Sequence, residues 1–377
     1  MNFEGRVEIA LPMEKGAAAS VRYAPPVNVS PLLKGKRPQE VMPVISTIYG
    51  ICANAQAHAA VLSLEAALGR KTDRDMAAAR ALVTSMETLR ENVLRIALDW
   101  PRMIGGEPDG ASVRAAMDYV PRMRAALFGE ADPFALDAQT RPDAAAVRMV
   151  IADAEALLAG TIFGEPLDIW LKRRGYVGLL AWAVGSQTPA ADLIGHLAEQ
   201  GWVETAGMDG GDVGFLDVAM LAAHAGGDRP AAANDVPETT LFSRRAQAGL
   251  VASLNSSGLG ARFVARLAEL ACLPGEMRLL LEGNGDPNTL SRTAGGAGIG
   301  IVEAARGLLV HTARLADGRV DDYRIVSPTD WNFDKRGVAA RCLATLEGHE
   351  DAEEKVRLAH LVVNAIDPCV AYEVRAC

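Results

Sequence analysis

The sequence predicts a mainly α-helical protein with small antiparallel β-sheets near both ends, an α+β chain built on a helical bundle. Apolar residues recur at steps of three and four through long Ala- and Leu-rich segments. Strict apolar–polar alternation is confined to short runs near residues 6–23 and 307–326. Half of the 377 residues are hydrophobic and 23% are charged, enough apolar mass for a sizeable core. We read 1–377 as one domain, with a loop or insertion at about 205–240 rich in Gly, Ala, Asp and Pro around one short helix, Leu216–Ala225.

The chain opens with alternation over Arg6–Leu11 and Ser20–Tyr23 around Glu14-Lys15-Gly16, a hairpin signature. A helix is expected from about Gln39 to Leu68, closed by Gly69. The next helix has Thr72 as its cap and Asp75 three residues on, a capping-box pattern. Its stripe of Leu82, Met86, Leu89, Val93 and Ile96 faces a bundle core, and Trp100-Pro101 ends it. Helices follow over Asp143–Leu158, Leu167–Gly185, Ala190–Gly201 and Ala246–Leu273. The glycine run 295–300 lacks the G-x-G-x-x-G spacing of a dinucleotide site and reads as a turn ahead of a strand. Gly307–Leu315 and Asp321–Val326 form a hairpin through Asp317-Gly318, and Ser327–Asn332 leaves it as a structured loop. A helix at about Glu353–Ile366 runs into Asp367-Pro368-Cys369.

The net charge is −9 and no Lys/Arg run makes a basic face, which argues against a nucleic-acid partner. No apolar run approaches the ~18 residues of a membrane span, and the first residues lack an export signal. The five cysteines form no disulfide framework and fit a reducing, cytoplasmic setting. Two stand out. Cys52 follows Gly50 and Cys369 follows Pro368, so each thiol is expected at a bend or helix end where a soft metal could reach it. Each also reads as a packed core thiol, as Cys272 and Cys342 do. Cys377 and His58 are weaker candidates for metal contact, and Asp209 with Asp212 lacks calcium-loop spacing.

Several segments, in order from end to end, resemble the large subunit of nickel–iron hydrogenases. Phe3-Glu4-Gly5-Arg6-Val7-Glu8-Ile9 is similar to the family's R-I-E-G-H-L-R-I, and Leu33-Lys34-Gly35-Lys36-Arg37-Pro38 to L-K-G-R-D-P. Thr47–Cys52 resembles R-I-C-G-V-C, and Glu303–Gly307 resembles E-A-P-R-G. Ser327-Pro328-Thr329-Asp330-Trp331-Asn332 resembles V-P-T-T-W-N, and Asp367-Pro368-Cys369-Val370-Ala371-Tyr372 resembles D-P-C-x-x-C. The resemblance implies a large-subunit-like helical bundle.

It also implies a site. In the family two C-x-x-C pairs give four thiolates to nickel, and the second of each pair bridges to iron. Here Tyr49 and Tyr372 replace two of the four. Cys52 keeps a bridging position and Cys369 a terminal nickel position. A phenol, with a pKa near 10, is a poor substitute for a thiolate, so nickel is not expected. Arg306 and Thr329 match residues that hold the iron's cyanide and carbon monoxide ligands. Arg375 and Ser30 replace the family's final His and an acidic residue, so a magnesium-type site looks lost. Glu4 matches a proton-relay Glu, and the chain stops without the longer tail that large-subunit precursors carry.

This combination resembles the HupK-type hydrogenase expression/formation proteins. The implied function is accessory, not catalytic: a scaffold or chaperone that holds or transfers an iron fragment bearing cyanide and carbon monoxide, bound transiently. The implied partners are the hydrogenase large-subunit precursor and its maturation chaperones. Two alternatives stand beside it, a metal-free module that mimics the large subunit and a catalytic subunit with an altered site.

Overall fold

The stripe at Leu82, Met86, Leu89, Val93 and Ile96 forms the buried face of helix Arg74–Met103, 30 residues long. The computed structural model describes residues 5–14, 17–26, 28–50, 52–208, 236–349 and 351–377. Arg74–Met103 packs against Gly110–Phe128, Pro189–Glu199 and Leu259–Leu281, the last of which is buried along most of its length. Ridge-and-groove contact among these helices builds the bundle, and one apolar cluster runs through them from Val7 to Ile366. The expected helix Leu216–Ala225 lies outside the described residues, as do Glu4, Asp209 and Asp212.

Several boundaries differ from expectation. The cap of Arg74–Met103 is Asp73, whose carboxylate accepts from Met76 N at 2.8 Å. Thr72 instead turns its hydroxyl to Glu65 Oε2 at 2.5 Å. The helix passes through Pro101 to Met103, since a proline near a C-terminus forfeits only one backbone bond. The expected helix 39–68 is two helices, Pro38–Ile48 and Ala53–Ala67, broken at Tyr49–Cys52. Leu167–Gly185 likewise splits into Leu167–Trp170 and Gly175–Gly185, where Gly175 takes φ +66°. The expected Ala246–Leu273 becomes Leu241–Arg245, Gly249–Leu254 and Leu259–Leu281.

The first hairpin forms as β1 (Arg6–Leu11) and β2 (Ser20–Ala24), paired antiparallel. A four-stranded antiparallel meander follows: β3 (Thr289–Ala294), β4 (Ala297–Ala304), β5 (Gly307–Ala316) and β6 (Arg319–Val326). Asp317 and Gly318, at φ +51° and +72°, make the expected tight turn. The last strand, β7 (Ala371–Ala376), lies parallel on β1, so this sheet is mixed, not purely antiparallel. That pairing draws the two ends of the chain together and carries the segment after Cys369 back to the first strand. No described helix is long and apolar enough to cross a membrane.

Candidate functional site

Cys52 is the N-cap residue of helix Ala53–Ala67, but its side chain does no capping. Glu87, from Arg74–Met103, does it instead. Its Oε1 accepts from Asn54 N at 3.0 Å and Asn54 Nδ2 at 2.7 Å, and its Oε2 from Ala55 N at 2.9 Å. A carboxylate there satisfies the orphan amides and leaves the sulfur available. Gln56 Nε2 approaches Cys52 Sγ at 3.9 Å. Gln56 Oε1 lies 2.8 Å from His311 Nε2, and His311 Nδ1 lies 2.7 Å from the Tyr323 hydroxyl. Burial pushes His311 down to about 3, so this ring is neutral and links the two partners as donor and acceptor.

Cys369 arrives from the opposite end of the chain. Helix Ala352–Ile366 stops at Asp367, which takes the left-handed conformation at φ +66°. Such a conformation is unfavourable for a residue other than glycine. The Asp367 carboxylate is fixed by three guanidinium groups: Arg95 Nη2 at 2.6 Å, Arg266 Nη1 at 2.9 Å and Arg306 Nε at 3.2 Å. Burial alone would raise its pKa, but Arg306, Arg95 and Arg266 outweigh that and hold it well below the carboxylate range. Two residues on, Cys369 N donates to Thr329 Oγ1 at 3.0 Å. Thr329 sits on the short helix Pro328–Asn332, which Ser327 and Asp330 cap reciprocally.

The four residues singled out in the sequence therefore meet. The Cys52 and Cys369 thiols are hydrogen-bonded to each other. Arg306 lies beside both, with its Nη1 also paired to Glu91 Oε2 at 3.2 Å. Cys369 is the more acidic thiol: the Cys52 hydrogen bond lowers it, and Arg306 and the Thr329 hydroxyl reinforce that against burial. Cys52 is raised by the same hydrogen bond, by burial and by Glu87. The pair thus tends to one thiolate and one thiol beside a cation, with Cys52 buried and Cys369 half-buried. Among the described residues, no group of three or more His, Cys, Asp and Glu side chains is arranged to hold a metal ion.

A family model described as nickel-dependent hydrogenase matches residues 240–375, the stretch that carries Arg306, Thr329 and Cys369. The chain is 26% identical over 374 residues to the hydrogenase expression/formation protein HupK of Azotobacter vinelandii, covering 98% of each. It is 28% identical to HupK of Bradyrhizobium diazoefficiens, covering 99% of this chain and 97% of that one. The chain is thus similar to HupK-type proteins along nearly its whole length. Its fold is that of the nickel–iron hydrogenase large subunit: the nickel–iron–selenium hydrogenase of Desulfovibrio vulgaris Hildenborough superposes with a TM-score of 0.64 at 15% identity, covering 94% of this chain and 93% of that one.

In this large-subunit frame the two substituted tyrosines part company. Tyr49 stays near Cys52 and Asp330, and burial raises its phenol so that it keeps its proton. Tyr372 points elsewhere: its hydroxyl lies 3.3 Å from His360 Nδ1, and its charged neighbours are Arg95, Asp99 and Asp367. Tyr23, which the sequence did not single out, lies near Cys369 and Tyr49. Ser30 donates to Tyr323 O, and Arg375 pairs with Glu373 at 2.7 Å. His58 is buried against Thr84 at 2.9 Å, and Cys377 is exposed at the far end of β7. Glu87, Glu91, Arg95 and Arg266 were also missed. Their one sequence signal is that charged residues recur inside otherwise apolar helical stripes.

Proposed function

We propose that this chain is an accessory protein of nickel–iron hydrogenase maturation, and that it holds an iron fragment carrying cyanide and carbon monoxide as transient cargo. The likeness to expression/formation proteins along nearly the full length supports the accessory role. One observation carries the finer reading: the buried Cys52 thiol and the half-buried Cys369 thiol in contact, with the Arg306 guanidinium and the Thr329 hydroxyl beside them. Thiolates are soft donors suited to iron, and Cys369 is the one the surroundings make available as an anion. A guanidinium and a hydroxyl suit cyanide nitrogen, an acceptor. Two thiols are too few for a bare cation but enough for an iron that brings its own ligands. The same count halves the four-thiolate nickel set, so the reading is a carrier and not an enzyme. The recipient would be the large-subunit precursor, with its maturation chaperones as partners in the cytoplasm.

The test is infrared spectroscopy of protein co-expressed with the iron-loading proteins. Bands of metal-bound cyanide and carbon monoxide are expected, and Cys52→Ser or Cys369→Ser should abolish them. Bands that persist in the double variant reject the ligand assignment. The phenols of Tyr49 and Tyr372, standing where the resemblance places two of the four thiolates, favour one alternative, a metal-free mimic of the large subunit. In that case capture of the maturation chaperones survives loss of both cysteines and no such bands arise.

A further inference from the structure

A cavity of about 390 Å³ lies among the C-terminal part of helix Arg74–Met103, helix Pro189–Glu199, Trp202, helix Ala352–Ile366 and the start of β7. Its size is that of a small-molecule pocket. Neither thiol lines it, nor does Arg306 or Thr329, so it is a separate place in the fold. Tyr372, the phenol that stands where the family has a ligand cysteine, forms part of its wall.

The wall is rich in hydrogen-bond donors. Burial raises the Tyr372 phenol and lowers the His360 imidazole, so the first is protonated and the second neutral. Their 3.3 Å contact is a hydrogen bond between the Tyr372 hydroxyl and His360 Nδ1, whose direction follows the imidazole tautomer. Asn364 uses its Oδ1 to accept from Trp100 Nε1 at 3.2 Å, so its amide hydrogens remain as donors. Arg357 lies over the Trp202 ring at 5.9 Å, and among the described residues no carboxylate pairs with it. Arg102 is only loosely paired, at 3.8 Å from Asp99, and its side chain is 61% exposed. Asp99 is the one acidic lining residue, and Arg95 already holds it at 2.5 Å. In a chain of net charge −9 this is a local reversal of sign. Trp202, Leu361 and Met103 add flat and apolar surface.

We propose that this cavity binds a small organic anion with a planar ring, an aryl or heteroaryl phosphate or carboxylate. The ring lies against Trp202 and Leu361, and the acidic group meets Arg357 and Arg102. Charge-assisted hydrogen bonds give the anion its selectivity over a neutral ring, and the aromatic wall gives the ring its selectivity over a bare anion. This inference stands apart from the iron-fragment reading: the two sites share only the supporting Arg95, which pairs with Asp99 in this wall and with Asp367 beneath Cys369.

The probe is 1-naphthyl phosphate, titrated into the full-length ¹⁵N-labelled protein while the tryptophan indole N–H signals are followed. Trp202→Phe assigns the Trp202 signal. A saturable shift of that signal is expected in the millimolar range or tighter, with the Trp170, Trp182 and Trp331 signals unmoved. 1-Naphthol and inorganic phosphate should each bind about tenfold more weakly or worse, and Arg357→Gln should weaken the probe by about tenfold. Arg357 is exposed, so that variant keeps its fold. No saturable shift, equal binding of 1-naphthol, or full affinity in Arg357→Gln overturns the proposal.

Discussion

Asp367 concentrates the electrostatics of the thiol site in one carboxylate. Three guanidinium groups converge on it, and Glu91 supplies a second negative charge through Arg306. All of these side chains are largely enclosed, so each carries a desolvation cost that only its partners offset. Removing the shared anion leaves buried cations uncompensated. Asp367→Asn should therefore cost about 3–5 kcal/mol of stability by urea unfolding. A loss below about 1 kcal/mol would mean the network is dispensable. Arg306 has a double task, pairing with Asp367 and Glu91 while lying beside both sulfurs. In Arg306→Gln the charged donor is gone but some hydrogen-bonding capacity stays. Bound iron fragment, read from the cyanide band intensity, should drop about tenfold. Unchanged intensity with unchanged stability would take Arg306 out of the binding set.

At the scale of elements, the site depends on how closely strand β4 packs on helix Ala53–Ala67. A Cβ at Gly300 would lie 2.2 Å from Ala59 O and 2.7 Å from Ser63 N, and one at Gly298 would lie 2.1 Å from Ser63 O. Both contacts are with backbone, which cannot rotate away. Gly300→Ala should cost about 1–3 kcal/mol in thermal or urea unfolding, and should also lower iron-fragment occupancy because Cys52 heads the displaced helix. A neutral Gly300→Ala would show that the strand moves freely. The glycine run was legible in sequence as a turn, and Gly295 and Gly296 do take φ +57° and +76° there. What lies across from Gly298 and Gly300 was not legible, because local pattern says nothing about the facing element. Gly50 marked a bend at Cys52, yet helix-forming composition on both sides of it read as one helix over 39–68, so the full break at Tyr49–Cys52 was only half legible. The cysteines themselves were legible through Gly50, Pro368 and their motifs. Their shared network was not: Glu87, Arg95 and Arg266 sit within stripes that read as core, and their partners are far away in sequence. The parallel pairing of β7 with β1 joins the two ends of the chain, beyond the reach of any local signal.

For the molecule as a whole, the core encloses two histidines that burial keeps neutral. His58 bonds Thr84 at 2.9 Å and stacks at 5.6 Å from Phe134, while its Nε2 has no hydrogen-bond partner. His311 is held between Gln56 and Tyr323. Burial lowers each from 6.5 to about 3, the Arg80 charge adding to the effect at His58. Between those two values the unfolded chain binds protons that the folded chain refuses, so acid favours unfolding. The stability they contribute is complete above about pH 6.5 and falls as pH drops through the window toward about 3. With both groups titrating, the pair contributes up to about 2.7 kcal/mol per pH unit near pH 5, above the range where most carboxylates join in, and the lowered His360 adds in the same direction. Urea unfolding across pH 7 to about 5 measures it. Removing one imidazole, as in His311→Phe, should reduce the slope toward half, even if the variant is less stable at pH 7. A flat profile from pH 7 to 5 in the native chain would mean that water or protonation reaches these rings in the folded state, and that the core is looser than its burial implies.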